Sequence, residues 1–93
     1  VFPSEVEAVM ATHPAVAEVS VFGVPHDLWG EQVQAAVVLK PGQEVAPAAL
    51  IAYAEQELAG YKVPRALHIM AALPRNASGK VLKRALRDEF EAV

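Results

Sequence analysis

The sequence predicts an α+β fold, a small three-stranded sheet flanked by helices in the order α-β-β-α-β-α. Three observations carry that expectation. Two valine-rich stretches, 16–24 and 31–39, follow one another between turn signals. Three other segments repeat apolar residues at helical spacing, and a short apolar run, 66–72, follows the second of these. A chain of 93 residues makes about one domain. With 54% hydrophobic and 20% charged residues it can bury a core and is too apolar for disorder.

Each element has a local cause. Ser4-Glu5-Val6-Glu7 fits a capping box, in which Ser4 and Glu7 satisfy each other's free backbone N–H groups, so a helix is expected over about 4–12. Val6, Val9 and Met10 form its apolar stripe, and His13-Pro14 ends it, because a residue before proline avoids helical geometry. Val16 to Val24 reads as a strand bounded by Pro14 and Pro25. A second strand alternates Val33, Ala35, Val37 and Leu39 against Gln32, Gln34 and Ala36. Lys40-Pro41-Gly42-Gln43 is a turn. Helix two, 47–59, opens with Pro47, turns Leu50, Ile51, Ala54 and Leu58 inward, and meets Gly60 as its C-cap. A basic connector, Tyr61-Lys62-Val63-Pro64-Arg65, leads to the third strand, 66–72. The last helix, 81–91, buries Leu82, Ala85, Leu86 and Phe90. Strands one and two form an antiparallel hairpin and the crossover helix returns strand three parallel to strand two. Strand one is expected in the centre, paired antiparallel to both others, giving spatial order 2-1-3.

Composition excludes several functions. There is no cysteine, hence no disulfide framework, thiolate metal site or Cys nucleophile; a reducing cytosol is compatible, and a cytoplasmic location is expected. No apolar run approaches the roughly 20 residues of a membrane span. The net charge of −3 hides an uneven distribution, with one basic and eight acidic residues in 1–60 but seven basic and three acidic in 61–93. The basic third would face an anion. A nucleic-acid binder is usually basic overall, so a small phosphorylated ligand or an acidic surface fits better.

No carboxylate pair is spaced for acid–base work, and His13, His26 and His68 are too scattered for a local metal site. They read as a helix-end, a loop and a strand residue. Gly79-Lys80 invites comparison with a phosphate-binding P-loop, but Pro74 stands where that motif has its first Gly and Val81 where it has Ser or Thr. What remains is a small-residue loop, 75–80, expected to be the most mobile internal segment, with Lys80 as a point charge at its end.

Five segments together carry a resemblance: Phe2-Pro3-Ser4-Glu5-Val6-Glu7; His13-Pro14-Ala15-Val16-Ala17-Glu18-Val19; Gly23-Val24-Pro25-His26-Asp27 with Trp29-Gly30-Glu31; Tyr61-Lys62-Val63-Pro64-Arg65; and Leu73-Pro74-Arg75-Asn76-Ala77-Ser78-Gly79-Lys80-Val81. In this order they resemble the C-terminal domain of acyl-CoA synthetases. These belong to the adenylate-forming superfamily, which also includes nonribosomal peptide synthetase adenylation domains and firefly luciferase. The resemblance covers practically the whole chain. It implies that 1–93 is the mobile C-terminal domain of such an enzyme, without the large N-terminal domain that binds ATP and the acyl group. A first residue other than Met agrees with an excised domain, expected to be inactive alone.

The resemblance further implies two half-reactions in the whole enzyme. A carboxylate, here of a fatty or related acid, attacks the α-phosphate of Mg-ATP; a thiol, usually of CoA, then displaces AMP from the acyl-adenylate. The implied cofactors are ATP, CoA and Mg2+, the metal bound mainly by the N-terminal domain. The implied partners are that domain, CoA and the acyl-adenylate. Lys80 would be the catalytic lysine of the first step. Tyr61, Lys62 and Arg65 would contact the CoA nucleotide after the domain rotates, with Gly23, Val24 and Pro25 near the thiol tunnel and Trp29 beside them. Val63 is apolar where some relatives carry a further basic residue. A carrier-protein-loading adenylation enzyme is the alternative within the superfamily, and a stand-alone ferredoxin-like binding module the alternative outside it.

Overall fold

The computed structural model describes residues 3–26, 30–58 and 60–90. Its elements are α1 (Pro3–Ala11), β1 (Val16–His26), β2 (Gly30–Leu39), α2 (Pro47–Glu57), a 3-10 turn (Gly60–Lys62), β3 (Ala66–Ile69) and α3 (Lys83–Phe90). The expected α-β-β-α-β-α order is present. Pro3 and Pro47 both lie in first helical turns, where a missing N–H costs nothing.

The sheet order is β1-β2-β3, with β2 central, antiparallel to β1 and parallel to β3. The expected central position of strand one is therefore wrong. The outer edge of β1 is capped at one point, where the Glu7 carboxylate of α1 accepts the Val21 N–H at 2.8 Å. The crossover through α2 consequently lays β3 on the free edge of β2, where Arg65 N–H donates to Val33 C=O and Met70 N–H to Val37 C=O, both at 2.8 Å. A signal for this was present in the sequence. Ala35, Ala36 and Val37 are all fully buried, the continuous apolar run of a strand covered on both faces.

Helical and strand boundaries also shift. Ser4 lies inside α1 rather than capping it, and the Glu7 carboxylate turns to the sheet edge instead of closing a capping box. β1 continues past Val24, with Pro25 opposite Glu31. Backbone N–H groups two residues apart share a direction, so Pro25 points its missing donor to the same outer side as Val21, the position an edge strand tolerates. A bulge between Val16 and Glu18 reverses the alternation, which lets Val16 share a face with Val21. α2 ends at Glu57 with Leu58 as its C-cap, and Gly60 opens the 3-10 turn instead of capping the helix. β3 is shorter than expected, and α3 begins at Lys83 because Val81 pairs with Arg75 in an isolated bridge.

Two cores result, one on each face of the sheet. Val6 and Met10 of α1 and Leu50 and Ala54 of α2 pack with Val21, Ala35, Val37 and Leu67 on one face. On the other, Leu86 of α3 and Leu73 pack with Phe22, Val24 and Ala36. The sheet is thus held rigidly between helical layers, and what protrudes at its two ends is carried as one body.

Candidate functional site

At one end of the sheet stands the loop that carries Lys80. It leaves β3 through buried Leu73 and half-buried Pro74, and its base is closed by the Arg75–Val81 bridge and by Leu82 N–H donating to Pro74 C=O at 2.8 Å. Within it, Asn76 is the organiser. Its Oδ1 accepts from Ser78 N–H at 3.0 Å, Ser78 Oγ at 2.8 Å and Lys80 N–H at 3.0 Å, while its own N–H donates to the Lys80 carbonyl at 3.0 Å. Gly79 has φ +85°, the left-handed conformation that glycine adopts without penalty. The segment expected to be loose is therefore built as a hydrogen-bonded turn. The Asn-x-Ser spacing is an Asx-turn signature that could have predicted it.

Lys80 itself is exposed, and among the described residues its ammonium has no hydrogen-bond or ion-pair partner. A depression of about 400 Å³ lined by Asn76, Lys80, Val81, Leu82, Lys83 and Arg84 lies beside it. Arg84 and Arg87 are exposed on α3, whereas Lys83 is paired with Glu7 at 3.0 Å. A cation on a hydrogen-bonded backbone, with its side chain free in solvent, can be presented to an anion supplied by another body.

The remaining sequence-predicted residues that the structure describes, Gly23, Val24, Pro25, Tyr61, Lys62 and Arg65, lie toward the opposite end. Arg65 follows buried Pro64, and its backbone joins Val33, which is itself opposite Gly23 on β1; Val24 and Pro25 continue toward the hairpin. Tyr61 and Lys62 belong to the 3-10 turn just before. The Lys62 ammonium bonds both oxygens of Glu5, at 2.9 and 3.0 Å. Val24 is 1% exposed and packs in the α3-side core, so it shapes this end from within. Trp29 lies outside the described residues. A second depression, about 470 Å³, is lined by Ile51, Glu55, Gly60, Val63, Pro64 and Arg65.

The separation of the two ends follows from the register. The Lys80 loop is tied through Arg75 to Glu18, which faces Val38, whereas Arg65 joins β2 at Val33. Five residues of strand at about 3.3 Å each put these attachment points roughly 17 Å apart.

His13 and His68 are engaged structurally. His13 Nδ1 accepts Ala15 N–H at 3.1 Å and its ring meets Tyr53 edge-on; His68 stacks on Phe90 and bonds Gln34. Among the described residues no group of three or more His, Asp or Glu side chains is placed to hold a metal ion. Nor is any helix among them long and apolar enough to cross a membrane.

Residues 5–80 match the family model of the AMP-binding enzyme C-terminal domain. The chain is 46% identical over 90 residues to a fatty acid acyl-carrier-protein ligase, ScoC, of Streptomyces coeruleorubidus, covering 97% of this chain and 17% of that protein. It is 47% identical over 90 residues to 4-coumarate-CoA ligase-like 9 of Oryza sativa subsp. japonica, covering 97% and 16%. Among solved structures, apo MatB from Rhodopseudomonas palustris superposes with a TM-score of 0.93 at 37% identity, over 98% of this chain and 18% of that one. The chain thus spans about a sixth of the length of the relatives it matches.

Proposed function

Because the chain belongs to the AMP-binding enzyme C-terminal domain family, we propose that it acts as the mobile domain of an acid–thiol ligase, presenting Lys80 during adenylation and its opposite end during thioester formation. Family membership takes precedence over the stand-alone ferredoxin-like module. The observation that carries the two-state reading is the placement of Lys80 and Arg65 at opposite ends of one rigid sheet. Gly23–Pro25, at the Arg65 end, border the thiol path in this reading, and a single docked orientation would not bring both that end and Lys80 to one reacting centre, so using both has the domain turn.

In the first half-reaction a carboxylate oxygen attacks the α-phosphate of ATP, a P–O bond forms, and pyrophosphate leaves. One anion approaches another, and negative charge builds on the phosphoryl oxygens. The Lys80 ammonium, placed between them, offsets that charge as it develops. In the second, a thiol sulfur attacks the acyl carbon and AMP departs. Arg65, Tyr61 and Lys62 then serve the nucleotide portion of CoA, and Gly23, Val24 and Pro25 border the path of the thiol. Lys62 does this from within its pair with Glu5. A fatty or related carboxylic acid is the substrate assigned, in keeping with what the ScoC relative is named for.

A carrier-protein thiol is the second reading for the acceptor, favoured by that same relative. Titrating CoA against a phosphopantetheinylated carrier protein distinguishes the two.

The test uses the ligase in which this chain is joined to its large domain. Lys80→Ala should lower acyl-adenylate formation by about 100- to 1000-fold, the usual cost of one preorganised charge. Thioester formation from supplied acyl-adenylate should persist. Arg65→Ala should do the reverse, raising KM for CoA while leaving pyrophosphate exchange unchanged. Equal slowing of both half-reactions by Lys80→Ala would mark the lysine as structural.

A further inference from the structure

We propose that Arg75 is a positioning residue for Lys80, acting through a fork whose arms hold the Glu18 carboxylate of β1 and the carbonyl of Gly79, the residue before the lysine. This rests on the reading of Lys80 as the adenylation lysine, and it adds what fixes that lysine's origin. Arg75 Nη1 donates to Gly79 C=O at 2.7 Å, while Nη2 bonds Glu18 Oε1. The two partners belong to different parts of the fold: Glu18 is in β1, opposite Val38 and beside the bulge, whereas Gly79 closes the Asn76–Gly79 turn of the loop.

The other hydrogen bonds of the loop have a different effect. Those of Asn76 shape the turn internally, and those of Val81 and Leu82 close its base. The Arg75 fork joins the returning limb of the loop, at Gly79, to the sheet. A planar guanidinium can satisfy a carboxylate and a carbonyl at fixed mutual angles, which a lysine, a single point charge, does not.

Exposure separates this role from a stabilising one. The Arg75 and Glu18 side chains are 41% and 38% exposed, and ion pairs so open to solvent contribute little to folding. What the fork controls is geometry. The charge of Lys80 hangs from the backbone immediately after Gly79, so release of that carbonyl shifts the point from which the ammonium reaches, and misplacement by about an ångström can cost on the order of 100-fold in rate. Neither Arg75 nor Glu18 touches the reacting atoms in this account; both act through Lys80.

The experiment is a double-mutant cycle in the ligase carrying this chain and its large domain, with the two half-reactions assayed separately. Arg75→Ala should slow acyl-adenylate formation by about 10- to 100-fold, chiefly in kcat, with KM for ATP and for the acid little changed. Thioester formation from supplied acyl-adenylate should stay at the unmutated rate, which also shows that the domain is folded. Arg75→Lys should recover part of the loss by holding one arm. Glu18→Gln, which keeps an acceptor and removes the charge, should lose less than Arg75→Ala. In the Lys80→Ala background, Arg75→Ala should add no further slowing.

Further slowing there by the same factor would mean that Arg75 acts independently of Lys80, and would overturn the proposal. So would an Arg75→Ala enzyme that adenylates normally while Lys80→Ala does not, a result that leaves the Lys80 reading standing. If Lys80→Ala itself adenylates normally, the reading of the lysine fails and the positioning role falls with it.

Discussion

The ammonium of Lys83, in the first turn of α3, lies 3.0 Å from Glu7 Oε2 in α1, and the same carboxylate oxygen accepts the Val21 N–H at 2.8 Å. One side chain thereby caps the outer edge of β1 at Val21 and ties together helices on opposite faces of the sheet. An uncovered edge strand is a template for pairing with another chain. Here one donor of that edge, the Val21 N–H, is held by a carboxylate.

Glu7→Ala should therefore destabilise the domain by about 1–2 kcal/mol, most of it from the backbone N–H that loses a charged acceptor. The ion pair contributes less, because its side chains are 41% and 26% exposed. Lys83→Met should accordingly cost under about 0.5 kcal/mol, and Glu7→Gln should fall between the two. Urea unfolding of the 93-residue chain at constant m measures all three. A Lys83→Met loss as large as that of Glu7→Ala would assign the energy to the ion pair instead of the edge bond.

His68 predicts a pH dependence. Its ring stacks on Phe90 with centroids 3.7 Å apart and planes 4° apart, and its Nε2 lies 2.8 Å from Gln34 Oε1. The Gln34 amide donates to Gln32 at 2.9 Å, which leaves the Gln34 oxygen to accept and His68 Nε2 to donate. Burial between sheet and helix pushes the His68 pKa below its ordinary 6.5, with the Glu89 carboxylate opposing in part. A folded pKa below the unfolded one means that the unfolded chain binds the proton more readily. The stabilisation is complete above about pH 6.5 and is lost as pH falls through the lower, folded value. The denaturation midpoint should thus drop between pH 7.5 and 5.5, and His68→Gln should remove that part of the slope. A His68 ring titrating at or above 6.5 by NMR would refute the burial argument.

How much of this was legible in the sequence depends on the distance over which each feature is encoded. The helices were, because Leu50 with Ala54 and Val6 with Met10 repeat at helical spacing within one segment. The hairpin and the parallel return of β3 were also legible. The strand order was not read, because it turns on whether the outer edge of β1 is free, and Glu7 reaches Val21 from another element. Lys80 is singled out by the family resemblance that the spacing of Pro74, Gly79 and Lys80 helps to carry, since spacing alone leaves it a surface lysine. Arg75 could not, since its partner Glu18 is 57 residues away and neither residue stands in a pattern that marks the pairing. Asn76 could have been found, having a serine two residues on and a glycine three residues on.

Two glycines provide a matched comparison for the last prediction. Gly79 and Gly42 have φ of +85° and +80°, and a Cβ added to either meets nothing within 4 Å. The cost of alanine at both is therefore conformational, about 1–2 kcal/mol for an L-residue held in the left-handed region. Similar stability losses are expected from Gly79→Ala and Gly42→Ala. Their effects on catalysis should differ, because the Gly79 carbonyl is held by Arg75 and Lys80 follows it directly, whereas Gly42 turns the chain between β2 and α2. Gly79→Ala should slow acyl-adenylate formation in the joined ligase while Gly42→Ala leaves it unchanged. Gly79→Asn, which tolerates the left-handed region better, should recover part of the rate. Equal rates for the two alanine variants would mean that Lys80 reaches its target regardless of how its loop is set. In that case the left-handed turn at Gly79 would be a matter of folding alone, as it is at Gly42.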